Sequence, residues 1–159
     1  MTVSLAKDVL AAGGGFLLDQ AESLVHAALP GLPEFPPVEH VPTGEWVRLK
    51  GRGRAYVIDE PGPRPDAPVV VLLHGLASPA AVCWAATIGP LSRVARVIAF
   101  DQRWHGRGIT SAHFTLEDCA DDVAAVLDAL GVESAIMAGY SLGGAIAQMT
   151  WSRQRSRVD

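Results

Sequence analysis

The clearest chemical signal in this sequence is the segment 139–144, GYSLGG, which fits the pattern G-x-S-x-G between an apolar run and a helical pattern. So tight a turn from strand to helix predicts a positive φ at Ser141, which holds the hydroxyl clear of the sheet. Gly139 and Gly143 flank the serine because side chains there would collide across the turn. Gly144 would let the following helix approach the sheet closely. The pattern predicts a nucleophilic serine, with an ordinary glycine-rich turn as the alternative.

Backbone N–H groups near this serine could stabilise a developing negative charge. Leu142 stands at a helix N-terminus, where its N–H points toward charge beside Ser141. His74-Gly75-Leu76 directly follows another apolar run, so that Gly75 would turn the chain off the strand and Leu76 would supply a second N–H donor. His74 itself is either a general base or a structural imidazole bound to the loop backbone. We favour the structural role, because His74 lies on the oxyanion side.

A third group of reactive side chains occupies residues 101–108, DQRWHGRG, after the next apolar run. Asp101, Arg103 and His105 could take part in catalysis, but we expect them to form a cluster of ion pairs and hydrogen bonds within the loop. The two remaining candidates, His40 and His113, have no partner that the sequence identifies, and we expect them at the surface.

Alternating apolar runs and helical patterns would position these three segments. Three apolar runs predict buried strands, at residues 69–73, 95–100 and 134–138. Helical patterns lie between and after them, at residues 79–91, 115–130 and 142–152. Strands separated by helices imply right-handed crossovers and a mostly parallel sheet with flanking helices. The predicted fold class is α/β.

The central helix carries its own start and stop signals. Thr115 can cap it with Asp118 as a partner, and Gly131 ends it. Its apolar stripe consists of Leu116, Cys119, Ala120, Val123, Leu127 and Leu130.

The chain before residue 68 has a different organisation. A helical pattern over residues 5–29 is interrupted by Gly13-Gly14-Gly15, and we interpret it as a packing arm rather than a membrane-surface or partner helix, because it has no basic face. Nine of the chain's 11 prolines fall within residues 30–68, which indicates a linker and strand edges. Two strands are expected there, at residues 46–49 and 55–59. We place the boundary between an N-terminal extension and the domain at residues 43 and 44.

Composition limits the functional classes. With 159 residues, 49% of them hydrophobic, the chain has the size and apolar content of one globular domain. A net charge of −4 excludes a nucleic-acid binder that works by neutralising phosphates. Cys83 and Cys119 form no zinc or disulfide pattern, so we expect two buried thiols in a reducing cytoplasm. The apolar run at residues 9–18 is too short to span a bilayer, and no signal peptide is indicated.

Together the three segments resemble the α/β-hydrolase superfamily, with His74-Gly75 similar to its oxyanion loop, residues 101–106 to its structural loop and residues 139–144 to its nucleophile elbow. The resemblance covers about residues 45–159. It implies that Ser141 is the nucleophile, that the amides of Leu76 and Leu142 form an oxyanion hole, and that a small-molecule acyl substrate is attacked without a metal or organic cofactor.

One residue of these motifs departs from the pattern of the superfamily, and another bears on the branch. Trp104 stands where many members have glycine. A serine at the elbow also argues against the epoxide-hydrolase and dehalogenase branches, which the resemblance associates with an aspartate there.

The order of the triad residues along the chain indicates how much of a hydrolase this sequence contains. In this fold an acid and then a histidine follow the serine along the chain. After Ser141 the sequence contains only Asp159 as an acid and no histidine. We therefore expect the N-terminal half of a serine hydrolase. Perhydrolase, C–C bond hydrolase or acyltransferase chemistry on the same scaffold stays open, as does a non-catalytic binding module.

Overall fold

The computed structural model describes residues 42–159. The helices expected over residues 5–29, and His40, lie outside the described residues. Two antiparallel strands come first, β1 (Glu45–Leu49) and β2 (Gly53–Glu60). The turn between them uses Gly51 at φ 73° and Gly53 at φ 106°, conformations that favour glycine. The predicted strands and their turn are confirmed.

Three parallel strands complete the described sheet, β3 (Val69–Leu73), β4 (Arg96–Phe100) and β5 (Ile136–Gly139). The strand order is β1-β2-β4-β3-β5, and only the β1–β2 and β2–β4 pairs are antiparallel. Because parallel strands share their direction, the segments after β3, β4 and β5 meet at one edge of the sheet. The three candidate segments follow these strands.

Within residues 42–159, four helices flank the strands, α1 (Ala80–Cys83), α2 (Ala85–Ser92), α3 (Leu116–Ala129) and α4 (Leu142–Arg153), and a short 3₁₀ helix occupies Arg155–Arg157. The helix predicted over residues 79–91 is interrupted at Trp84 and forms two pieces. Thr115 caps α3 as predicted, because its Oγ1 accepts a hydrogen bond from the Asp118 N–H at 3.0 Å. Gly131 ends the segment at φ 66°.

Two apolar layers cover the sheet, one on each face. On one face Leu73 and Phe100 pack with α3 and α4, including Leu127 and Ile146. On the other face a smaller cluster packs against α1 and α2, and its members are Ile58, Val70, Leu72, Ala80, Ala81, Ile88, Ala95, Val97 and Ala99. The alternation along β3 and β4 therefore places successive side chains in different layers.

Two burial patterns differ from the sequence-based expectation. The buried side of α3 includes Asp122, a charged residue that the apolar stripe did not predict. Cys119 is buried as expected, but Cys83 is only half-buried, and both thiols are free.

The strand β5 lies at the edge of the described sheet. Ile136 is 43% exposed there, whereas β3 and β4 are almost wholly buried. The chain returns to this edge at Val158, which forms a single parallel bridge with Ala135. In that bridge the Ala135 N–H donates to Arg157 O at 3.1 Å, and the Asp159 N–H donates to Ala135 O at 3.2 Å.

Candidate active site

The segment around Ser141 forms a sharp turn between β5 and α4. Ser141 has φ 53° and ψ −115°, the positive φ expected from its sequence, and its side chain is exposed. The Tyr140 N–H donates to Leu73 O at 3.0 Å, and the Gly143 N–H donates to Tyr140 O at 2.9 Å. These bonds fix the turn to the neighbouring strand and begin the helix directly after the serine.

Glycines make this turn possible by allowing backbone to contact backbone. A Cβ on Gly139 would overlap the backbone of Gly143, and a Cβ on Gly143 would overlap the carbonyl of Leu73. The expectation for Gly144 is wrong, because a Cβ there would lie 3.6 Å from Gly139 O, an ordinary contact. The close approach of α4 to the sheet therefore depends on Gly143.

The two candidate oxyanion donors lie on adjoining loops. Among residues 42–159, neither the Leu76 N–H nor the Leu142 N–H has a hydrogen-bond acceptor. Gly75 adjoins the serine, since a Cβ on it would lie 2.9 Å from the Tyr140 ring and 3.5 Å from Ser141 Cβ. The absence of a side chain at Gly75 thus lets the two loops meet.

The sequence predicts that Gly75 turns the chain at the end of β3, but the unusual backbone conformation lies at Ala77 instead. Among the described residues, those with a positive φ include Ala77, at φ 60°, but not Gly75. Gly75 is required for space beside Tyr140, and the chain reverses two residues later.

His74 has both ring nitrogens occupied. Its Nε2 accepts from the Gln102 N–H at 2.9 Å, and its Nδ1 lies 2.8 Å from Gly75 O, a geometry in which Nδ1 carries the proton. Burial lowers the pKa of His74. A neutral imidazole with both nitrogens engaged fits the structural role, because neither nitrogen is available to deprotonate a serine.

Gln102 is a site residue that the sequence analysis missed. It is buried, and its Nε2 donates to the His74 carbonyl at 2.6 Å while its own N–H binds the His74 ring. Its Oε1 is buried without a hydrogen-bond partner among the described residues. The available signal was the position of Gln102, a polar residue that directly continues the buried end of a strand.

Asp101 organises the loop after β4. Its carboxylate accepts from the Ala80 N–H and from the Arg107 N–H, each at 2.8 Å. A Cβ on Gly106, which has φ 48°, would overlap this carboxylate. His105 Nδ1 lies 2.9 Å from Arg103 O, and its ring meets that of His74 at 5.1 Å.

Arg103 is held by a buried ion pair. Its Nε and Nη2 donate to the two carboxylate oxygens of Asp122 at 2.7 and 2.9 Å, and this pair raises the pKa of the Arg103 guanidinium. Arg52 from the β1–β2 turn donates to the same carboxylate at 2.5 Å. Asp101, Arg103 and His105 therefore form an extensive structural network in this loop.

Trp104 adopts the left-handed conformation, with φ 65°, which explains why glycine suits this position. Its ring is packed 5.3 Å from that of Phe114, and its Nε1 donates to Ser111 O at 3.0 Å. These contacts offset the strain at the backbone.

No acid–base pair for Ser141 is formed within the described part of the chain. The Ser141 hydroxyl has no hydrogen-bond partner among residues 42–159, and His113 is exposed in the loop before α3. The same residues include no cluster of three metal-ligating side chains and no helix long and apolar enough to cross a membrane. The structure therefore places Ser141 beside the loop that carries Leu76, without a histidine or carboxylate bonded to the serine in the described part of the chain.

Comparison with known proteins identifies the family. The model of the alpha/beta hydrolase fold matches residues 68–159, and the chain belongs to this family. The chain is 31% identical over 96 residues to 3-oxoadipate enol-lactonase 1 of Acinetobacter baylyi, covering 60% of this chain and 35% of that protein. It is 41% identical over 85 residues to a bifunctional esterase/perhydrolase of Acinetobacter calcoaceticus, covering 52% and 30%.

Solved structures give the same picture. The enol-lactonase from Burkholderia xenovorans LB400 superposes with a TM-score of 0.66 at 25% identity, covering 72% of this chain and 44% of that one. An epoxide hydrolase from metagenomes of hot environments gives 0.66 at 31% identity, covering 75% and 40%. The chain thus spans about a third of the length of the curated relatives, whose covered shares are 35% and 30%.

Proposed function

We propose that this chain carries the nucleophile and oxyanion hole of a serine hydrolase that acts on esters or related acyl substrates. The observation that carries the proposal is Ser141, exposed at φ 53° between β5 and α4 and next to the loop after β3; the Leu76 and Leu142 amides on either side have no acceptor among residues 42–159. A substrate carbonyl above the serine would direct its oxygen between the Leu76 and Leu142 N–H groups. Attack by Ser141 Oγ on the carbonyl carbon would break the bond to the alcohol, which leaves with the serine proton, and form an acyl-enzyme; water would then hydrolyse it to the free acid and restore the serine hydroxyl.

The identity of residue 141 favours one branch of the family over another. Relatives include both an esterase/perhydrolase and epoxide hydrolases, so similarity alone leaves the nucleophile open. A serine hydroxyl gives an acyl-enzyme with a carbonyl substrate, which favours acyl chemistry. Perhydrolase, C–C hydrolase and acyltransferase reactions share this intermediate and differ in what accepts the acyl group.

We further propose that the acid and base come from a sequence beyond these 159 residues. No histidine follows Ser141, and His74 has both nitrogens engaged. The chain covers only a small share of each relative, which supports the same interpretation.

The half-buried Cys83 and buried Cys119, both free thiols, are in keeping with a cytoplasmic location.

Labelling by a fluorophosphonate tests the nucleophile. In a chain extended so that an acid and a histidine follow residue 159, we expect Ser141→Ala to abolish labelling and Ser78→Ala, the matched control, to retain it. His105→Ala should retain labelling and lower the free energy of unfolding. Labelling that survives Ser141→Ala would refute the assignment.

The short chain tests the missing base. Loss of the base of a serine triad costs on the order of 10⁶ in kcat. The 159-residue chain should therefore hydrolyse an activated aryl ester no faster than its Ser141→Ala variant. Turnover that depends on Ser141 in the short chain would mean that a histidine within it acts as base. In that case the chain would be a hydrolase in its own right, and the proposed missing half would be unnecessary.

A further inference from the structure

Positive charge is concentrated in the β1–β2 hairpin. Residues 46–58 contain four basic residues and no acidic one, although the whole chain has a net charge of −4. Arg52 turns away to bind Asp122. The other three, Arg48, Lys50 and Arg54, are exposed and form no ion pair with a described residue.

The arrangement of these charges is unfavourable for the chain alone. Arg48 and Arg54 are direct partners in the antiparallel pair, so their side chains emerge side by side on one face. Like charges directly opposite each other destabilise a strand pair. An anionic group between them would turn this repulsion into attraction.

Two aromatic rings share this face. Trp46 lies opposite Tyr56 with ring centroids 5.8 Å apart, and the Arg54 guanidinium lies 4.2 Å from the Trp46 centroid. Trp46 is 48% exposed. The alternate residues of the same strands, including Leu49 and Ala55, are buried in the core, which fixes the face in position.

We propose that this basic hairpin face, formed by Trp46, Arg48, Lys50 and Arg54, docks on a membrane surface of anionic phospholipids. The face borders a groove of about 740 Å³, and its exposed tryptophan is the residue type that prefers the interface between lipid and water. Basic side chains near such a surface are attracted to its headgroups. Lys50, in the turn, extends the charge beyond the strands.

A single-stranded nucleic acid fits this face less well. Arg54 already lies over the Trp46 ring, where a base would have to stack. Docking does not depend on the proposed hydrolase function, since Ser141 takes no part in it.

The basic hairpin face lies at the same edge of the sheet as Ser141, so docking would affect how substrate reaches the serine. Val57 pairs with Phe100 in the antiparallel β2–β4 ladder, so the β1–β2 turn lies at the edge of the sheet where the parallel strands end. Ser141 follows β5 at that same edge. Docking would bring this edge toward the lipid.

Vesicle flotation of the full chain tests the proposal, because aggregates sink and only bound protein rises. At low salt the chain should float with vesicles of phosphatidylserine and phosphatidylcholine and stay down with phosphatidylcholine alone. Each basic residue near an anionic surface contributes about 1 kcal/mol, or roughly fivefold in partition. Arg48→Gln/Arg54→Gln should therefore weaken partition by roughly 25-fold.

A matched control removes the same charge elsewhere. Arg64→Gln/Arg93→Gln changes two exposed arginines outside the hairpin and should leave flotation unchanged. Trp46→Ala should weaken partition even at high salt, where screening has removed most of the charge attraction. Near-ultraviolet circular dichroism confirms that each variant is folded.

Three results would overturn the proposal. The first is no flotation with anionic vesicles, and the second is an equal loss in both double variants. The third is binding of a single-stranded oligonucleotide that requires Arg48 and Arg54 while vesicles remain unbound, which would assign the face to nucleic acid.

Discussion

Gln102 and His74 bind each other twice, in opposite directions. The Gln102 N–H donates to the His74 ring at 2.9 Å, and the Gln102 side chain donates to the His74 carbonyl at 2.6 Å. His74 immediately precedes the loop that carries the Leu76 N–H. Gln102 follows β4 and lies 28 positions away from His74 along the chain. We therefore expect Gln102 to fix the position of this candidate oxyanion donor.

Replacing Gln102 tests this relationship. Gln102→Met keeps the side-chain shape but leaves the buried His74 carbonyl without its donor. An unsatisfied buried polar group costs about 1–3 kcal/mol, and the loss should lie near the lower end because Gln102 Oε1 is itself unpaired. Urea denaturation measures the change. Gln148→Met, at an exposed position of α4, should change the free energy of unfolding by less than about 0.5 kcal/mol. Equal effects of the two variants would contradict the account.

The buried imidazole makes stability depend on pH. Because the pKa of His74 is lowered in the folded state, the unfolded chain binds a proton at higher pH than the folded chain does. The free energy of unfolding should be highest above the ordinary imidazole pKa of about 6.5 and fall below it, by at most about 1.4 kcal/mol per pH unit for this group. The decline should end once the pH passes the lower, folded-state pKa.

A variant isolates this contribution. His74→Asn removes the titrating group while the other four histidines remain. Its free energy of unfolding between pH 8 and 5 should fall less steeply than that of the parent chain, although it starts lower. An unchanged slope would show that His74 does not titrate differently in the folded state.

Neighbouring glycines of α4 should respond in opposite ways to the same substitution. Gly143→Ala forces a Cβ into the Leu73 carbonyl and should cost about 3 kcal/mol or more. Gly144→Ala meets only an ordinary contact and gains up to about 1 kcal/mol of helix propensity. Thermal denaturation of the two variants gives the comparison. A similar melting temperature for both would mean that the helix can move away from β3.

The strain at Trp104 can be separated from the contacts of its ring. Trp104→Gly and Trp104→Ala both lose the Phe114 contact and the hydrogen bond to Ser111, but only alanine keeps a Cβ at φ 65°. The glycine variant should therefore be the more stable by about 1 kcal/mol, the reverse of the usual order in a helix. Urea denaturation tests the order of the two. If alanine is more stable, the loop has changed its conformation.

The edge at β5 should promote self-association. Ile136 is 43% exposed on a strand whose outer edge, beyond the single bridge at Ala135, has no strand partner among residues 42–159, and such an edge can pair with another chain. Ile136→Lys should shift sedimentation velocity profiles toward the monomer. Val94→Lys, which changes an apolar residue that is more exposed, at 64%, and lies away from this edge, should leave them unchanged. A parent chain that is already monomeric at high concentration would contradict the expectation.

Features with local causes could be predicted from the sequence. The uninterrupted apolar run of β3 matches its strand, and the cap at Thr115 forms as its spacing predicts. The positive φ of Ser141 follows from the turn that its flanking glycines allow. In each case the determining contacts lie within a few residues of one another.

Features that depend on distant partners could not be predicted. Asp122 lies within an apolar stripe, and only its two arginines, from other elements, explain its burial. The role of Gln102 depends on a residue in another loop. Residue 75 must be glycine because the ring of Tyr140 packs against it. Tyr140 lies two strands further along the chain, so the local sequence does not show this contact.

The carboxylate of Asp122 also determines which parts of the molecule can open separately. It joins α3 to the β1–β2 turn through Arg52 and to the loop after β4 through Arg103. Local opening of α3 would leave the buried Arg103 without its carboxylate, at a cost of several kcal/mol, and opening of the β1–β2 turn would remove one of the two arginines that pair with Asp122. Their backbone amides should therefore exchange with solvent hydrogen as one cooperative unit. The hairpin turn, which would ordinarily fray first, should therefore be protected more strongly than its own backbone hydrogen bonds provide.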